Sequence, residues 1–245
     1  MLRPMTLHDV TAWLVKELGA LRFAPPVAHV YNPLDYAAAP YALYLDRYGT
    51  APREVVLLGM NPGPHGMVQT GVPFGDVGSV RGWLKIEAPV ERPASEHPKR
   101  PVLGFDIGRG EVSGRRIWSW AADTFTTPEA FFARIFVANY CPLAFLEEGG
   151  KNRTPDKLKK AEREALFGLC DEALRRTVAV LRPRLVVGIG RFAERRAREA
   201  LEGSNVEIGN VLHPSPASPK ANQGWAAQAT AQLGALGVPL GSSET

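Results

Sequence analysis

The sequence predicts an α/β protein: a three-layer α/β/α sandwich with a central, mostly parallel four-stranded sheet. Three observations carry this expectation. Four short apolar, β-rich runs stand out, Val55–Leu58, Ile135–Ala138, Leu185–Ile189 and Val206–Leu212. Helical patterns lie between or after them, as in a parallel sheet covered on both faces. The 245 residues suit one large α/β domain spanning 1–245, and nothing in that length demands a second.

The elements follow in order. Thr6 can cap a first helix, with Asp9 at its third position and Leu7, Val10, Leu14 and Leu18 on one face. Thr127-Pro128-Glu129 reads as a helix start, with proline in the first turn. Thr154-Pro155-Asp156 reads as the start of a longer helix whose face is Leu158, Ala165, Leu169, Ala173 and Leu181. Phe192, Ala193, Ala197, Ala200 and Leu201 form the buried stripe of another, with Arg191, Arg195 and Arg198 facing away. A final helix runs from about Trp225 to Leu236. The Pro-, Gly- and charge-rich stretch Ile86–Gly114 reads as a long loop, of a length that often carries function. There is no internal repeat.

Composition removes several classes of function. The longest apolar runs, about five to eight residues, are far short of a membrane span. The opening Met1, Leu2 and Arg3 lead into no unbroken apolar segment with a small-residue cleavage site. The expectation is an intracellular monomer, cytoplasmic or at the nucleoid if bacterial, with no membrane partner. Cys141 and Cys170 are too far apart in sequence to build a metal cage alone, and the five histidines show no close ligand pairing. No metal and no cofactor are therefore expected. A net charge of +4 and a pI near 9.2 lean mildly towards polyanions.

The chemistry concentrates where strands end. Val55–Leu58 leads into Gly59-Met60-Asn61-Pro62-Gly63-Pro64, Ile135–Ala138 into Asn139-Tyr140-Cys141-Pro142, and Val206–Leu212 into His213-Pro214-Ser215-Pro216. In an open parallel sheet the carboxyl ends of neighbouring strands face one crevice. Two amides and an imidazole should then converge there. Asn-Pro and His-Pro also serve as plain turn punctuation; convergence in space separates the two readings. The trio has no carboxylate, no activated nucleophile and no phosphate-gripping lysine. An asparagine carbonyl can hold a water, an imidazole can donate to a leaving group's growing charge, and a second amide suits the alternating edge of a uracil ring. Such a set fits cleavage of a glycosidic bond through an already dissociative transition state.

These residues resemble a known family. Gly59-Met60-Asn61-Pro62-Gly63-Pro64, Gly66-Met67, Gln69-Thr70-Gly71-Val72-Pro73-Phe74-Gly75 and His213-Pro214-Ser215-Pro216 closely resemble the signature motifs of the single-strand-selective monofunctional uracil-DNA glycosylases. The likeness continues through Glu96–Gly104, Asn139–Leu143 and Gly190–Glu194, covering most of the chain from about Val30 to Trp225. It implies hydrolysis of the N-glycosidic bond of a flipped uracil or 5-hydroxymethyluracil in single- or double-stranded DNA, initiating base excision repair without lyase activity. Deaminated purines are further candidate substrates. It implies catalytic roles for Asn61, orienting the water, and His213, stabilising the departing base. Asn139 would read the base edge and Phe74 would stack on the ring, although Phe74 also reads as plain core. Met60, Gly63 and His65 would line the pocket near the ring's fifth carbon, where a glycine leaves room. The loop Pro214, Ser215, Pro216, Ala217, Lys220 and Asn222 would meet DNA. Two positions depart from animal members: His65 stands for a phenylalanine, and Ala217 for an arginine that wedges into the base stack.

Two other readings compete. Gly188-Ile189-Gly190-Arg191-Phe192-Ala193 gives a dinucleotide-type G-x-G-x-x-A, but only about 55 residues follow and the next strand leads to His213 rather than an acidic residue. Its glycines read instead as a tight turn against the backbone. A non-catalytic nucleic-acid module would use Lys151, Arg153, Lys157, Lys159 and Lys160, but interspersed acidic residues make that cluster a solvated helix face.

Overall fold

The computed structural model describes residues 3–240; Met1 and Leu2 of the N-terminal reading lie outside the described residues. The order is α1 (Leu7–Gly19), β1 (Val27–Tyr31), α2 (Pro33–Tyr36), α3 (Ala38–Tyr48), β2 (Val55–Gly59), α4 (Met67–Thr70) and α5 (Val77–Gly82). Then come α6 (Val112–Phe125), α7 (Pro128–Phe132), β3 (Ile135–Asn139), β4 (Ala144–Glu147), β5 (Asn152–Arg153), α8 (Lys160–Leu181), β6 (Leu185–Ile189), α9 (Arg191–Ala200), β7 (Glu207–Val211) and α10 (Trp225–Ala235).

The four predicted strands form one sheet in the order β3-β2-β6-β7, every neighbouring pair parallel. Val55 to Gly59 and Leu185 to Ile189 are buried throughout, the pattern of central strands covered on both faces. One helical group joins α1, α8 and α9, with α9 lying on β6 and β7; another joins α5, α6, α7 and α10, with α7 against β3 and α10 against β7. A three-stranded sheet, β1-β4-β5, is antiparallel and was not expected from the sequence.

Local signals account for most helices. Thr6 and Asp9 form a reciprocal capping box, and Leu7, Val10, Leu14 and Leu18 are the buried face of α1. Thr127 caps α7. On α9, Phe192, Ala193, Ala197 and Ala200 are buried while Arg191, Arg195 and Arg198 are exposed. Two expectations need correction. Thr154-Pro155-Asp156 opens only a 3-10 turn over Pro155–Lys157; α8 starts at Lys160, and its buried face is Leu166, Cys170, Ala173, Leu174 and Leu181. Leu158, Ala173 and Leu181 are buried as expected, but Ala165 is exposed and Leu169 half-buried, with Leu166 and Cys170 taking their places. The loop Ile86–Gly114 is interrupted by a 3-10 turn at Gly104–Asp106, and its last residues already belong to α6, which Glu111 caps through its side chain.

Candidate active site

The parallel register brings the strand ends to one edge. Gly59 of β2 lies beside Asn139 of β3, and Ile189 of β6 beside Val211 of β7. A cleft of roughly 310 Å³ opens there, lined by Met60, Asn61, Pro62, Gly63, Phe74, Glu111, Ser113, Asn139, Asn152, Thr154, His213 and Ser215. Asn61, Asn139 and His213, scattered over 150 residues, thus share one wall-to-wall space, which turn punctuation alone does not require. A groove of about 650 Å³ elsewhere, lined by Thr6, His8 and Asp46 among others, is roomier, but its polar groups serve the α1 cap and a surface His8–Asp46 pair.

Each amide is oriented by a backbone or thioether partner. Asn61 donates through Nδ2 to the carbonyl of Leu143 at 3.3 Å. A carbonyl can only accept, so Oδ1 is the end left for the cleft. Asn139 donates through Nδ2 to the Met67 sulfur at 3.2 Å, and its buried Oδ1 has no partner among the described residues. Gly59 makes room for both side chains: a Cβ there would meet Asn139 Oδ1 and come within 2.6 Å of the Phe74 ring.

Phe74 holds a left-handed backbone, φ 53°, which costs a bulky residue about 1–3 kcal/mol. Its carbonyl is pinned by the Trp118 indole N–H at 3.0 Å and the Asp76 N–H at 2.8 Å, and the bare Cα of Gly114 leaves room for that oxygen. The ring is therefore presented to the cleft by its surroundings, 6.5 Å from the His213 ring.

His213 is fixed in tautomer as well as place. Its Nδ1 accepts the Ser215 N–H at 3.1 Å, so in the neutral ring the proton sits on Nε2. Burial lowers its pKa below the ordinary histidine value. The chain after it is braced: Ser215 Oγ accepts the Ala217 N–H, Asn222 donates to the Pro216 carbonyl, and Arg116 of α6 donates to the Pro214 carbonyl at 3.0 Å and to Asn222 Oδ1 at 2.8 Å. Pro214 is buried in this loop, while Pro216, Ala217, Lys220 and Asn222 are exposed beside the cleft without lining it. His65 does not line the cleft either. Its Nδ1 is buried without a partner among the described residues, and burial, followed by the charges of Arg109 and Arg100, lowers its pKa.

The glycines of the dinucleotide-like run are explained by packing. A Cβ on Gly188 would collide with the backbone of α9 at Glu194, and Gly190 turns at φ +89° with a Cβ position 3.2 Å from the His213 Cβ. They seat α9 and His213 rather than a pyrophosphate.

Sequence reasoning missed four lining residues. Beside the trio stands a carboxylate, Glu111, whose oxygens accept the Ser113 and Gly114 N–H groups at 3.3 and 2.9 Å and whose pKa burial raises. Its signal was the acidic residue three before Gly114, an N-cap hidden at the end of an apparent loop. Ser113 comes with it. Asn152 and Thr154 arrive from β5 and the residue beyond, and only the unforeseen antiparallel sheet places them here. Among the described residues no group of three His, Cys, Asp or Glu side chains could hold a metal ion, and no helix is long and apolar enough to cross a membrane.

Residues 47–233 match the Uracil DNA glycosylase superfamily. The single-strand selective monofunctional uracil DNA glycosylase of Mus musculus is 51% identical over 231 residues, covering 93% of this chain and 83% of that one. That of Bos taurus is 51% identical over 224 residues, 91% of this chain and 82% of the relative. Among solved structures, wild-type Pedobacter heparinus SMUG2 superposes with a TM-score of 0.69 over 96% of this chain and 100% of its own, at 20% identity, a likeness of fold.

Proposed function

The chain belongs to the uracil DNA glycosylase superfamily, and from that premise we propose that it is a monofunctional uracil-DNA glycosylase that extrudes uracil from DNA into the strand-end cleft and hydrolyses its N-glycosidic bond. The observation that carries this reading is the convergence of Asn61, Asn139 and His213, each already turned by a protein partner.

Asn139 reads the base. Its unpartnered Oδ1 accepts from N3–H, and Nδ2 turns to O4 by giving up a thioether, a weak acceptor and a cheap exchange. Cytosine carries no N3 hydrogen and an amino group at C4, so both contacts reverse and the cost is about 1–3 kcal/mol for each unpaired buried group. Phe74 stacks on the flipped ring. Oδ1 of Asn61 holds the attacking water, and Nε2–H of His213 meets O2 as charge grows there. Among the described residues no lysine lines the cleft, which favours a hydrolytic reaction without a covalent adduct.

The reading extends to 5-hydroxymethyluracil, because Gly63 presents no side chain to a substituent at the fifth carbon, and to deaminated purines as slower substrates. Single-stranded DNA is the preferred partner, since a free strand spares most of the flipping cost; paired uracil is reached less well with Ala217 at the exposed loop. The protein acts as a monomer. The test is a labelled oligonucleotide carrying one deoxyuridine, incubated and then cleaved at abasic sites by hot alkali. Cleavage by the wild type and its loss in Asn61→Ala is the expected result; equal cleavage by both assigns the activity to a contaminant, and none by either overturns the reading.

A further inference from the structure

Asn152 sits in the cleft with no role in the reading above. It comes from β5, and its Nδ2 donates to the carbonyl of Pro62 at 3.2 Å, across 90 residues of sequence. That carbonyl belongs to the residue directly after Asn61, so the two asparagines are neighbours in space and line the same cleft. Because the Pro62 carbonyl can only accept, the amide orientation is settled: Nδ2 is the tied end and Oδ1 the free one. The Oδ1 of Asn152 is buried and has no hydrogen-bond partner among the described residues. A buried amide oxygen without a partner is uncommon and costs stability unless something donates to it. Asn61 repeats the arrangement, with Nδ2 tied to the Leu143 carbonyl and Oδ1 left over. Two amides, each with its nitrogen anchored to backbone and its oxygen left over, thus belong to residues that line one cleft.

From this pairing we propose that Asn152 is a second catalytic amide: its Oδ1 and that of Asn61 each accept one proton of the attacking water, so that the water's lone pair faces C1′. This deepens the glycosylase reading and rests on it. Neither amide is a base at neutral pH, and none is needed. The C1′–N1 bond breaks with its electron pair leaving on the uracil ring, and the water oxygen donates a lone pair to the oxocarbenium carbon. The oxonium so formed then loses one of its two held protons to the uracil anion, giving neutral uracil and an abasic sugar. A water gripped by one proton rotates freely; gripped by both, it is aimed, and aim is what a dissociative reaction asks of its nucleophile.

The competing account is that Asn152 merely braces the Pro62 loop. Two substitutions separate them. Asn152→Ala removes both the brace and the water acceptor. Asn152→Asp keeps an oxygen for the water but cannot donate to Pro62, so it breaks the brace and keeps the acceptor. The measurements are the single-turnover rate on a deoxyuridine oligonucleotide, the affinity for the abasic product and the thermal midpoint. We expect Asn152→Ala to cleave about ten- to a hundredfold more slowly, the effect of one lost hydrogen bond, with product affinity within about threefold of wild type. Asn152→Asp should recover at least about fivefold over alanine. If aspartate is no faster than alanine, or if alanine cleaves at the wild-type rate, the proposal is overturned. Should alanine fail to fold, Asn152→Leu, close in size and with neither donor nor acceptor, takes its place under the same criteria. A wild type that releases no uracil fails at the earlier step, the glycosylase reading, before any variant is compared.

Discussion

Replacing His213 with alanine tests whether the imidazole works as a neutral donor. In the structure its Nδ1 already accepts the Ser215 N–H at 3.1 Å, which leaves Nε2–H as the single proton it can offer. Protonation would set N–H against N–H at that contact and break the loop's hold on the ring. Burial also lowers the His213 pKa, so the neutral form prevails at and above the ordinary histidine range of about 6.5. The single-turnover rate of the wild type should accordingly hold level from about pH 6.5 to 8.5, and decline only as pH falls towards the lowered pKa. Removing the donor should cost about a hundred- to a thousandfold in rate, roughly 2.7–4 kcal/mol of transition-state stabilisation. The same sign governs folding. Between the lowered folded pKa and about 6.5 the unfolded chain binds more protons, so this group's contribution to stability is complete above that window and is lost as pH falls through it. Uracil release from a labelled oligonucleotide, quenched and cleaved with alkali at each pH, provides the measurement. A wild-type rate that drops tenfold per pH unit across 6.5–8.5, with no such drop in His213→Ala, would show a charged acid at work and refute the reasoning.

Asn139→Ala should remain folded and lose about five- to 150-fold in uracil excision, because the base edge is left unpaired in a dry pocket; Asn139→Asp, unable to donate to O4, should be no better, and near-normal excision by either removes it from base reading. Ala217→Arg, placed on the exposed loop beside the cleft, should raise activity on paired uracil more than on single strands, since only a stacked duplex offers a gap to fill; equal gains on both would mean the added charge is responsible. Activity should persist in excess chelator, and loss that a divalent ion restores would contradict the all-organic site. Gly188→Ala should destabilise by about 1–3 kcal/mol or prevent folding, because its methyl meets the backbone of α9, which denaturant unfolding would register.

The parallel sheet was legible because its strands are short, apolar and separated by helical patterns, and the α1 and α7 starts because capping is local chemistry. Asn61, Asn139 and His213 were legible because strand ends in such a sheet share an edge. What failed lay outside those patterns. Glu111 looked like loop because it caps α6 from outside the apolar pattern. Asn152 meets Pro62 only through the small antiparallel sheet, whose two-residue β5 carries no periodic signal. On α8 the first two face positions, Ala165 and Leu169, fell one residue short of Leu166 and Cys170, because the helix starts beyond the proline turn, at Lys160.

The pairing of Asn61 with Pro62 bears on how the site ages. Asparagines decay spontaneously when the nitrogen of the following residue attacks the side-chain carbonyl, and that attack needs an N–H which proline lacks. At Asn139 the following nitrogen, on Tyr140, is spent on the Gly59 carbonyl at 2.9 Å. Asn61 and Asn139 are thus shielded, one by covalent chemistry and one by the backbone, from turning into aspartates that would set a charge in the cleft. An enzyme matched to hydrolytic damage in DNA keeps two amides of its own cleft closed to the same kind of hydrolysis.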